Sequence, residues 1–220
     1  MAEQLPLPLP TKSALGRDNF FVSEANQMAV AALEATGTWP NKKLMLCGPA
    51  ASGKTHLAHV WAGENNAHII SAQGLAAHDI AARARTALVV EDVDRALPED
   101  ETPLFHLHNL MLAEGHALLM TTTTPPAQMA TQLPDLKSRL TGTTLVALDP
   151  PDDALLAVVL MKMFADRQIN LPAGLLDYVV PRITRSFAEA RHFVDQIDAR
   201  ALAENRPIGK RLAGDILGGT

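Results

Sequence analysis

The stretch Gly48-Pro49-Ala50-Ala51-Ser52-Gly53-Lys54-Thr55 decides the fold of this chain, because it completes the pattern G-x-x-x-x-G-K-[ST]. Glycines let the main chain curl until successive N–H groups point at one anion. In this pattern the lysine reaches the outer phosphates of a nucleotide, and the final hydroxyl contacts Mg2+. The eight residues therefore predict a loop that binds ATP or ADP together with Mg2+.

An apolar run and a helical stretch flank this loop in the order that such a site requires. Lys43-Leu44-Met45-Leu46-Cys47 is typical of a buried parallel strand and is stopped by Gly48 and Pro49. Residues 56–62 continue as a predicted helix, whose first turn adds unsatisfied N–H donors to the phosphate site. We therefore include His56, which directly follows the loop, among the predicted nucleotide contacts.

Strands and helices alternate through the first two thirds of the chain. A helix is predicted over residues 24–36 and another over 102–114, and the further apolar runs lie at 67–70, 88–90, 117–120 and 145–148. This alternation predicts an α/β fold with a doubly wound parallel sheet.

Composition changes at Asp149-Pro150-Pro151-Asp152, which is the best domain boundary in the chain. Beyond it only helices are predicted, at residues 154–165, 173–180, 186–203 and 208–217, and the third begins at the capping box Ser186-Phe187-Ala188-Glu189. Alternating prolines make the first residues extended. We therefore predict a tail over 1–13, a nucleotide-binding domain over 14–150 and a helical lid over 151–220.

Composition also narrows the class of protein. The formal net charge of −5 gives no strong field toward nucleic acid, so we expect no direct sequence-specific DNA binding. Cys47 is the only cysteine, which excludes an internal disulfide framework and fits a reducing compartment. No apolar run reaches the length of a bilayer span, and the N-terminus lacks a basic signal region. We expect a cytoplasmic protein that does not contact a membrane.

Two acids follow the apolar run at 88–90. Carboxylate oxygens are ligands that Mg2+ prefers, so Glu91 and Asp92 are predicted to face the metal together with Thr55; a solvated loop is the alternative. The common order places aspartate first and glutamate second, whereas here the longer acid comes first. Each carboxylate is displaced by about one methylene, and such displacements slow catalysis. We expect Asp92 to take part in slow hydrolysis.

Four segments of the chain together resemble the AAA+ family, in the branch of the bacterial replication initiator DnaA. Residues 18–22 with Asn26 resemble the motif that lines the base pocket, and residues 118–126 resemble the sensor-one strand. Residues 133–140 resemble the box that carries the arginine finger, and 195–198 lie in the last long lid helix. The resemblance implies nucleotide contacts from Phe21, Val22, Asn26 and Thr123, and makes Arg139 the finger.

Two positions depart from the pattern of this family. Thr123 stands where relatives carry aspartate or asparagine. Ala188 stands where the sensor-two arginine is expected, with Arg185 and Arg191 three residues to either side on the same predicted helical face. We prefer Arg191 as the substitute that contacts the nucleotide.

The resemblance also implies partners. The chain shows no counterpart of the helix-turn-helix domain of DnaA, so it is most similar to DnaA-related regulators that bind the DNA-loaded β sliding clamp and stimulate hydrolysis of ATP bound to DnaA. Gln4, Leu5, Leu7 and Leu9 resemble the clamp-binding peptide of such regulators. Arg139 would act in trans on the neighbouring ATP. The alternatives are that the tail binds no partner and that Arg139 is only a charge on a helix surface. The sequence is also compatible with a homodimer.

Other functional classes fit less well. A small P-loop kinase would need a second substrate site, and no such site is recognisable. A helicase-loader-type AAA+ protein would contact single-stranded DNA, but aromatic residues make up only 4% of the chain, so stacking platforms are scarce. Two histidine pairs, His56 with His59 and His106 with His108, lack two further zinc ligands, so we predict surface or interface histidines there.

Overall fold

The computed structural model describes residues 21–97, 99 and 101–218. Within these residues five strands form one parallel sheet in the order β2–β3–β4–β1–β5. The strands are β1 Lys43–Cys47, β2 His68–Ser71, β3 Leu88–Glu91, β4 Leu118–Thr122 and β5 Thr144–Ala147. The predicted parallel α/β sheet is confirmed, and each strand lies within two residues of its predicted position.

Helices connect the strands and then continue alone after β5. They are α1 Gln27–Glu34, α2 Lys54–Asn65, α3 Ile80–Arg83, α4 Glu101–Glu114, α5 Pro134–Thr141, α6 Asp153–Asp166, α7 Leu175–Val179, α8 Phe187–Glu204 and α9 Lys210–Leu217. Helix α1 is shorter at both ends than the predicted 24–36, because residues 24–26 form a turn and residues 36–38 form a 3-10 turn. None of the helices in the described part of the chain is long and apolar enough to cross a membrane.

Apolar side chains from both faces of the sheet build two separate layers. Met45 of β1 packs with α4 and α5, whereas Leu44 and Leu46 pack with α1 and α2. This alternation follows from the two-residue period of a strand. The ring of Trp39 stacks on the ring of Trp61 of α2 with centroids 5.3 Å apart, which ties the chain before β1 to that second layer.

The helices after Asp152 share a core of their own, which contains Leu160 and Phe164 of α6, Val194 of α8 and Leu212 of α9. Two side-chain caps start helices of this group. The Asp152 carboxylate accepts from the Leu155 amide at 2.7 Å, and the Ser186 hydroxyl accepts from the Glu189 amide at 3.1 Å. The predicted start of α8 at Ser186 is thereby confirmed.

Parallel pairing gives the sheet two chemically different ends. At the loop end, β1, β3 and β4 finish together and β1 leads into Gly48. At the opposite end, β1 begins with Lys43, and its neighbour β5 begins just after α5. Ligands of such sheets bind outside the carboxyl ends of the strands, so the loop end is where a nucleotide is expected.

Candidate nucleotide-binding site

Backbone geometry explains both glycines of the phosphate loop. A Cβ atom on Gly48 would lie 2.5 Å from the carbonyl oxygen of Leu148. Gly53 has a φ of +97°, and a Cβ there would lie 2.9 Å from the ring of Phe187. Ala51 also has a positive φ of 58°. The loop is therefore curled tightly between β5 and α8, and larger side chains at the two glycines would displace it.

Lys54 lies beneath this curl with only 6% of its surface exposed. Its ammonium donates to the carbonyl oxygens of Gly48 and Pro49, both at 2.8 Å. Burial lowers the pKa of Lys54, and the carboxylates of Asp92 and Asp94 partly offset that effect. An ammonium has three donors, so one remains for a phosphate oxygen while the other two hold the loop.

A cavity lies beside the loop, between the domain that contains the sheet and the helices that follow Asp152. Five of the predicted nucleotide contacts line it, namely Phe21, Asn26, Ser52, Gly53 and His56. Helices α6 and α8 contribute further lining residues that the sequence did not predict, which include Val158, Val159, Lys162 and Phe187. The apolar side chains among them suit the flat surface of a base, and the loop next to them suits its phosphates.

Two polar atoms of this cavity are buried and have no hydrogen-bond partner within residues 21–97, 99 and 101–218. They are the hydroxyl oxygen of Ser52 and the ammonium nitrogen of Lys162. Lys162 also lowers the pKa of the neighbouring His56, although burial is the larger cause. Buried polar groups are normally satisfied, so these two atoms fit a site that receives polar groups from a ligand.

The residues of the predicted base-pocket motif lie in different environments. The Asn26 side chain accepts from the Ser23 amide at 2.9 Å and donates to the Phe21 carbonyl oxygen at 3.0 Å, so it shapes the turn before α1. Val22 is 49% exposed and does not line the cavity. The remaining predicted residues of this motif, 18–20, lie outside the described residues.

The two acids after β3 occupy different environments. Asp92 adopts a left-handed φ of 56°, its amide donates to the Thr121 hydroxyl at 3.0 Å, and its carboxylate lies 3.4 Å from Arg95. One carboxylate oxygen of Glu91 is buried and has no partner in the part of the chain that the structure describes. Thr55, the third predicted metal ligand, is exposed at the start of α2.

No group of three or more His, Cys, Asp or Glu side chains in the described residues is arranged to hold a metal ion. A site shared between Thr55, one acid and nucleotide phosphates needs no such group. The unpartnered Glu91 oxygen fits this arrangement, since it can accept a metal-bound water. The residues present therefore fit Mg2+ that arrives with a nucleotide.

Asp94 is a site residue that the sequence analysis missed. Its carboxylate accepts from the Thr123 hydroxyl and from the amides of Thr123 and Thr124, both at 3.1 Å. Burial opposes ionisation of Asp94, but these hydrogen bonds hold its pKa below the ordinary value. The hydroxyl of Thr123 is thus directed at Asp94 rather than free for a nucleotide. In the sequence, this role of Asp94 is indicated by its being a further acid only two residues after Asp92.

The start of α8 is attached directly to the phosphate loop. The Phe187 amide donates to the Ala51 carbonyl oxygen at 3.2 Å. One expectation about this helix is wrong: Arg185 does not share a helical face with Arg191, because α8 begins only at Phe187. Arg185 instead pairs with Asp153 at 2.9 Å, and Arg191 is exposed on α8 and does not line the cavity.

Arg139 lies on α5 at the opposite end of the sheet, with its guanidinium 5.3 Å from the centre of the Phe105 ring. It lines a second cavity together with Lys43 and His108. The expectation of a surface or interface histidine is wrong for His108, which is 4% exposed, because α4 turns it toward the buried Lys43.

Comparison with known proteins agrees with this geometry. No protein-family model matches the chain. The replication initiator DnaA of Zymomonas mobilis is 27% identical over 226 aligned positions, which cover 91% of this chain and 47% of that protein. The crystal structure of domain III of DnaA from Thermotoga maritima superposes with a TM-score of 0.79 at 18% identity, over 95% of this chain and 97% of that one. This chain is homologous to DnaA in its AAA+ region.

The shared region contains both parts of the molecule. An alignment over 95% of the chain includes the sheet and the helices after Asp152, so both belong to the fold of DnaA domain III. AMPPCP-bound DnaA from Aquifex aeolicus superposes with a TM-score of 0.70 at 17% identity, over 84% of this chain and 65% of that one. The chain spans about half the length of the DnaA sequences that it matches.

Proposed function

We propose that this chain is a DnaA-related regulator of replication initiation, most similar in organisation to Hda. It binds ADP or ATP with Mg2+ at the phosphate loop and stimulates hydrolysis of ATP bound to DnaA by supplying Arg139 in trans. The tail carrying Gln4, Leu5, Leu7 and Leu9, which lies outside the described residues, holds it on the DNA-loaded β sliding clamp.

Nucleotide binding is supported by the geometry of the loop end. Lys54 has a free donor there, Ser52 has an unpartnered hydroxyl, and an apolar cavity opens beside them. When bound, Mg2+ supplies charge neutralisation of the phosphates, and Thr55 with Glu91 or Asp92 would hold it. The DnaA of Aquifex aeolicus was crystallised with AMPPCP, an ATP analogue, in the same fold.

The position of Arg139 carries the proposal of action in trans. Arg139 shares a cavity with Lys43, the first residue of β1, whereas the phosphate loop follows Cys47, its last residue. Five strand residues at ~3.3 Å each separate the two sites by about 16 Å. Arg139 therefore cannot reach a nucleotide in its own loop, but it can be presented to a nucleotide on another protein.

Intrinsic hydrolysis by this chain is proposed to be slow. Asp92 is engaged by Arg95 at 3.4 Å and is held in a left-handed conformation. The inverted order of Glu91 and Asp92 moves each carboxylate away from the usual place for orienting water. The nucleotide of this chain then serves to order its surfaces rather than to be consumed.

The decisive experiment measures the ATPase rate of DnaA with DNA-loaded clamp, with and without this protein. We expect stimulation from the wild-type chain, and Arg139→Ala should reduce it by about 10³-fold, the usual contribution of an arginine finger. Lys137→Ala is the matched control, since Lys137 is an exposed cation two residues away on α5. Nucleotide affinity of both variants should stay within twofold of wild type.

Deletion of residues 1–10 separates clamp binding from the chemistry. We expect loss of binding to the clamp and loss of clamp-dependent stimulation, with nucleotide affinity unchanged. Full stimulation by Arg139→Ala would refute the proposal, and so would transfer of phosphate to a small molecule without any protein partner, which would favour the kinase alternative.

A further inference from the structure

The cavity at the opposite end of the sheet is lined by cations. It measures about 240 Å3 and is bounded by the 3-10 turn before β1 and by α4 and α5. Among the residues that the structure describes, the titratable ones lining it are Lys43, which is 2% exposed, His108 and Arg139, and none is an aspartate or glutamate. The buried ammonium of Lys43 and the half-buried guanidinium of Arg139 thus share this cavity, and burying such cations is costly unless a counter-charge is supplied.

Hydrogen bonding shows which kind of atom this cavity lacks. The Lys43 ammonium donates to His108 Nδ1 at 2.8 Å and to the His108 carbonyl oxygen at 2.7 Å. Since an ammonium can only donate, Nδ1 accepts, and the hydrogen of the neutral imidazole is on Nε2. That Nε2–H is buried and finds no acceptor among the described residues, and the same holds for the Nε–H of Arg139. Both unmatched groups are donors.

The pKa values of this cluster show the same lack of negative charge. Burial, followed by repulsion from Arg139, lowers the pKa of Lys43 to about 8. The pKa of His108 is lowered to about 3, chiefly by burial and further by repulsion from the charges of Lys43 and Arg139. A bound anion would reverse the repulsion, whereas a water molecule would supply an acceptor without any charge.

We infer that this cavity binds a small oxyanion of the phosphate class, held by the Lys43 ammonium, His108 Nε2–H and the Arg139 guanidinium. The three groups converge from β1, α4 and α5, so the arrangement is fixed by the sheet and the helices packed on it. This site is separate from the phosphate loop, which lies at the other end of β1. The inference does not depend on any role of Arg139 toward a partner.

Nuclear magnetic resonance of the histidine side chains tests this site directly. The probe is inorganic phosphate, titrated at constant ionic strength against sodium chloride. We expect saturable shifts of the His108 ring resonances, while His106, an exposed residue of the same helix, stays unchanged. The titration is repeated in Lys54→Ala, which removes phosphate binding at the loop and should leave the His108 response intact.

Two matched variants then assign the cations. In the Lys54→Ala background, Arg139→Gln should weaken phosphate binding at His108 at least tenfold, and Lys137→Gln, the same charge change on an exposed part of α5, should leave it unchanged. Thermal unfolding is the second readout: phosphate should raise the midpoint of Lys54→Ala but not that of Lys54→Ala with Arg139→Gln.

Three results would overturn the inference. They are no saturable response at His108, a response that Arg139→Gln leaves unchanged, and a response that disappears in Lys54→Ala alone. The last would mean that phosphate acts through the loop. None of these results bears on stimulation of a partner ATPase, so failure here and failure of the proposed function are distinguishable.

Discussion

The two ends of the sheet use cations in opposite ways. At the loop end, Lys54 is close enough to the carboxylates of Asp92 and Asp94 for them to oppose the fall in its pKa. At the opposite end, Lys43 and Arg139 share a cavity that no described aspartate or glutamate lines. The comparison teaches that a buried lysine indicates little by itself. Its counter-charges decide whether it belongs to a balanced site or to one that needs an incoming anion.

The largest expected effect breaks the loop end. Lys54→Ala should reduce affinity for ADP with Mg2+ by about 100-fold, or ~2.7 kcal/mol, because the remaining ammonium donor and the two bonds that hold the loop are lost together. Titration calorimetry measures the change, and Lys137→Ala should bind as wild type does. An affinity within threefold of wild type in Lys54→Ala would contradict the assignment of the loop.

Acid should lower the stability of the protein through His108, at the opposite end of the sheet. Because the pKa of His108 is about 3 in the folded chain, the ring stays neutral there while the unfolded chain takes up a proton below its ordinary pKa of about 6.5. The free energy of unfolding is therefore lost as pH falls from 6.5 toward 3, by ~2 kcal/mol at pH 5. Urea unfolding at pH 7 and pH 5 measures the loss.

A matched pair of variants isolates this pH dependence. His108→Gln should remove most of the difference in unfolding free energy between pH 7 and pH 5, and His106→Gln, on the exposed side of the same helix, should keep it. If the unfolding free energy differs between pH 7 and pH 5 by the same amount in both variants, His108 is not the group responsible.

Asp94 sharpens the comparison, because one oxygen of its carboxylate accepts three hydrogen bonds at the loop end of the sheet. Thr123→Val removes one of three donors to its carboxylate and should lower the free energy of unfolding at pH 7 by about 1.5 kcal/mol. The pKa of Asp94 should rise, because hydrogen bonds to its ionised form keep it low. Thr102→Val, which replaces an exposed threonine of α4, is the control in the same unfolding experiment, and an equal loss there would count against the Thr123 hydroxyl.

The smallest expected effect concerns the helices that cover the loop end. Ser186→Ala and Asp152→Ala each remove an N-cap and should each lower the free energy of unfolding by about 1 kcal/mol. Only Ser186 precedes Phe187, whose amide bonds the loop at Ala51. We therefore expect weaker nucleotide binding in Ser186→Ala alone; equal affinities in both variants would show that this attachment does not matter for the ligand.

Local sequence patterns predicted the elements and the loop well. The run 43–47 and the eight residues after it have one consistent interpretation, because strand, turn and helix preferences agree there. The capping box at Ser186 also predicted the start of α8, since a cap depends only on residues within one turn. Periodicity and capping are local properties, so a single sequence is enough to detect them.

Contacts between distant segments could not be predicted in this way. Asp94 and Thr123 meet only because β3 and β4 are neighbours, and 29 residues separate them in the chain. Lys43 and His108 are 65 residues apart, and nothing in either helix or strand pattern marks the pair. Phe187 is recognisable in the sequence only as the second residue of a capping box, and no local pattern shows that its ring lies against Gly53.

The hydrogen bond between the Phe187 amide and the Ala51 carbonyl oxygen joins the first residue of α8 to the phosphate loop, so a movement of the loop can tilt the helix. The helix contains 18 residues, which corresponds to a length of about 27 Å. A tilt of about 5° at its first residue would carry the last turn sideways by about 2 Å. A shift of the loop that is too small to disturb the sheet would therefore produce a larger displacement of Glu204, which is exposed at the end of α8 and can contact a neighbouring protein.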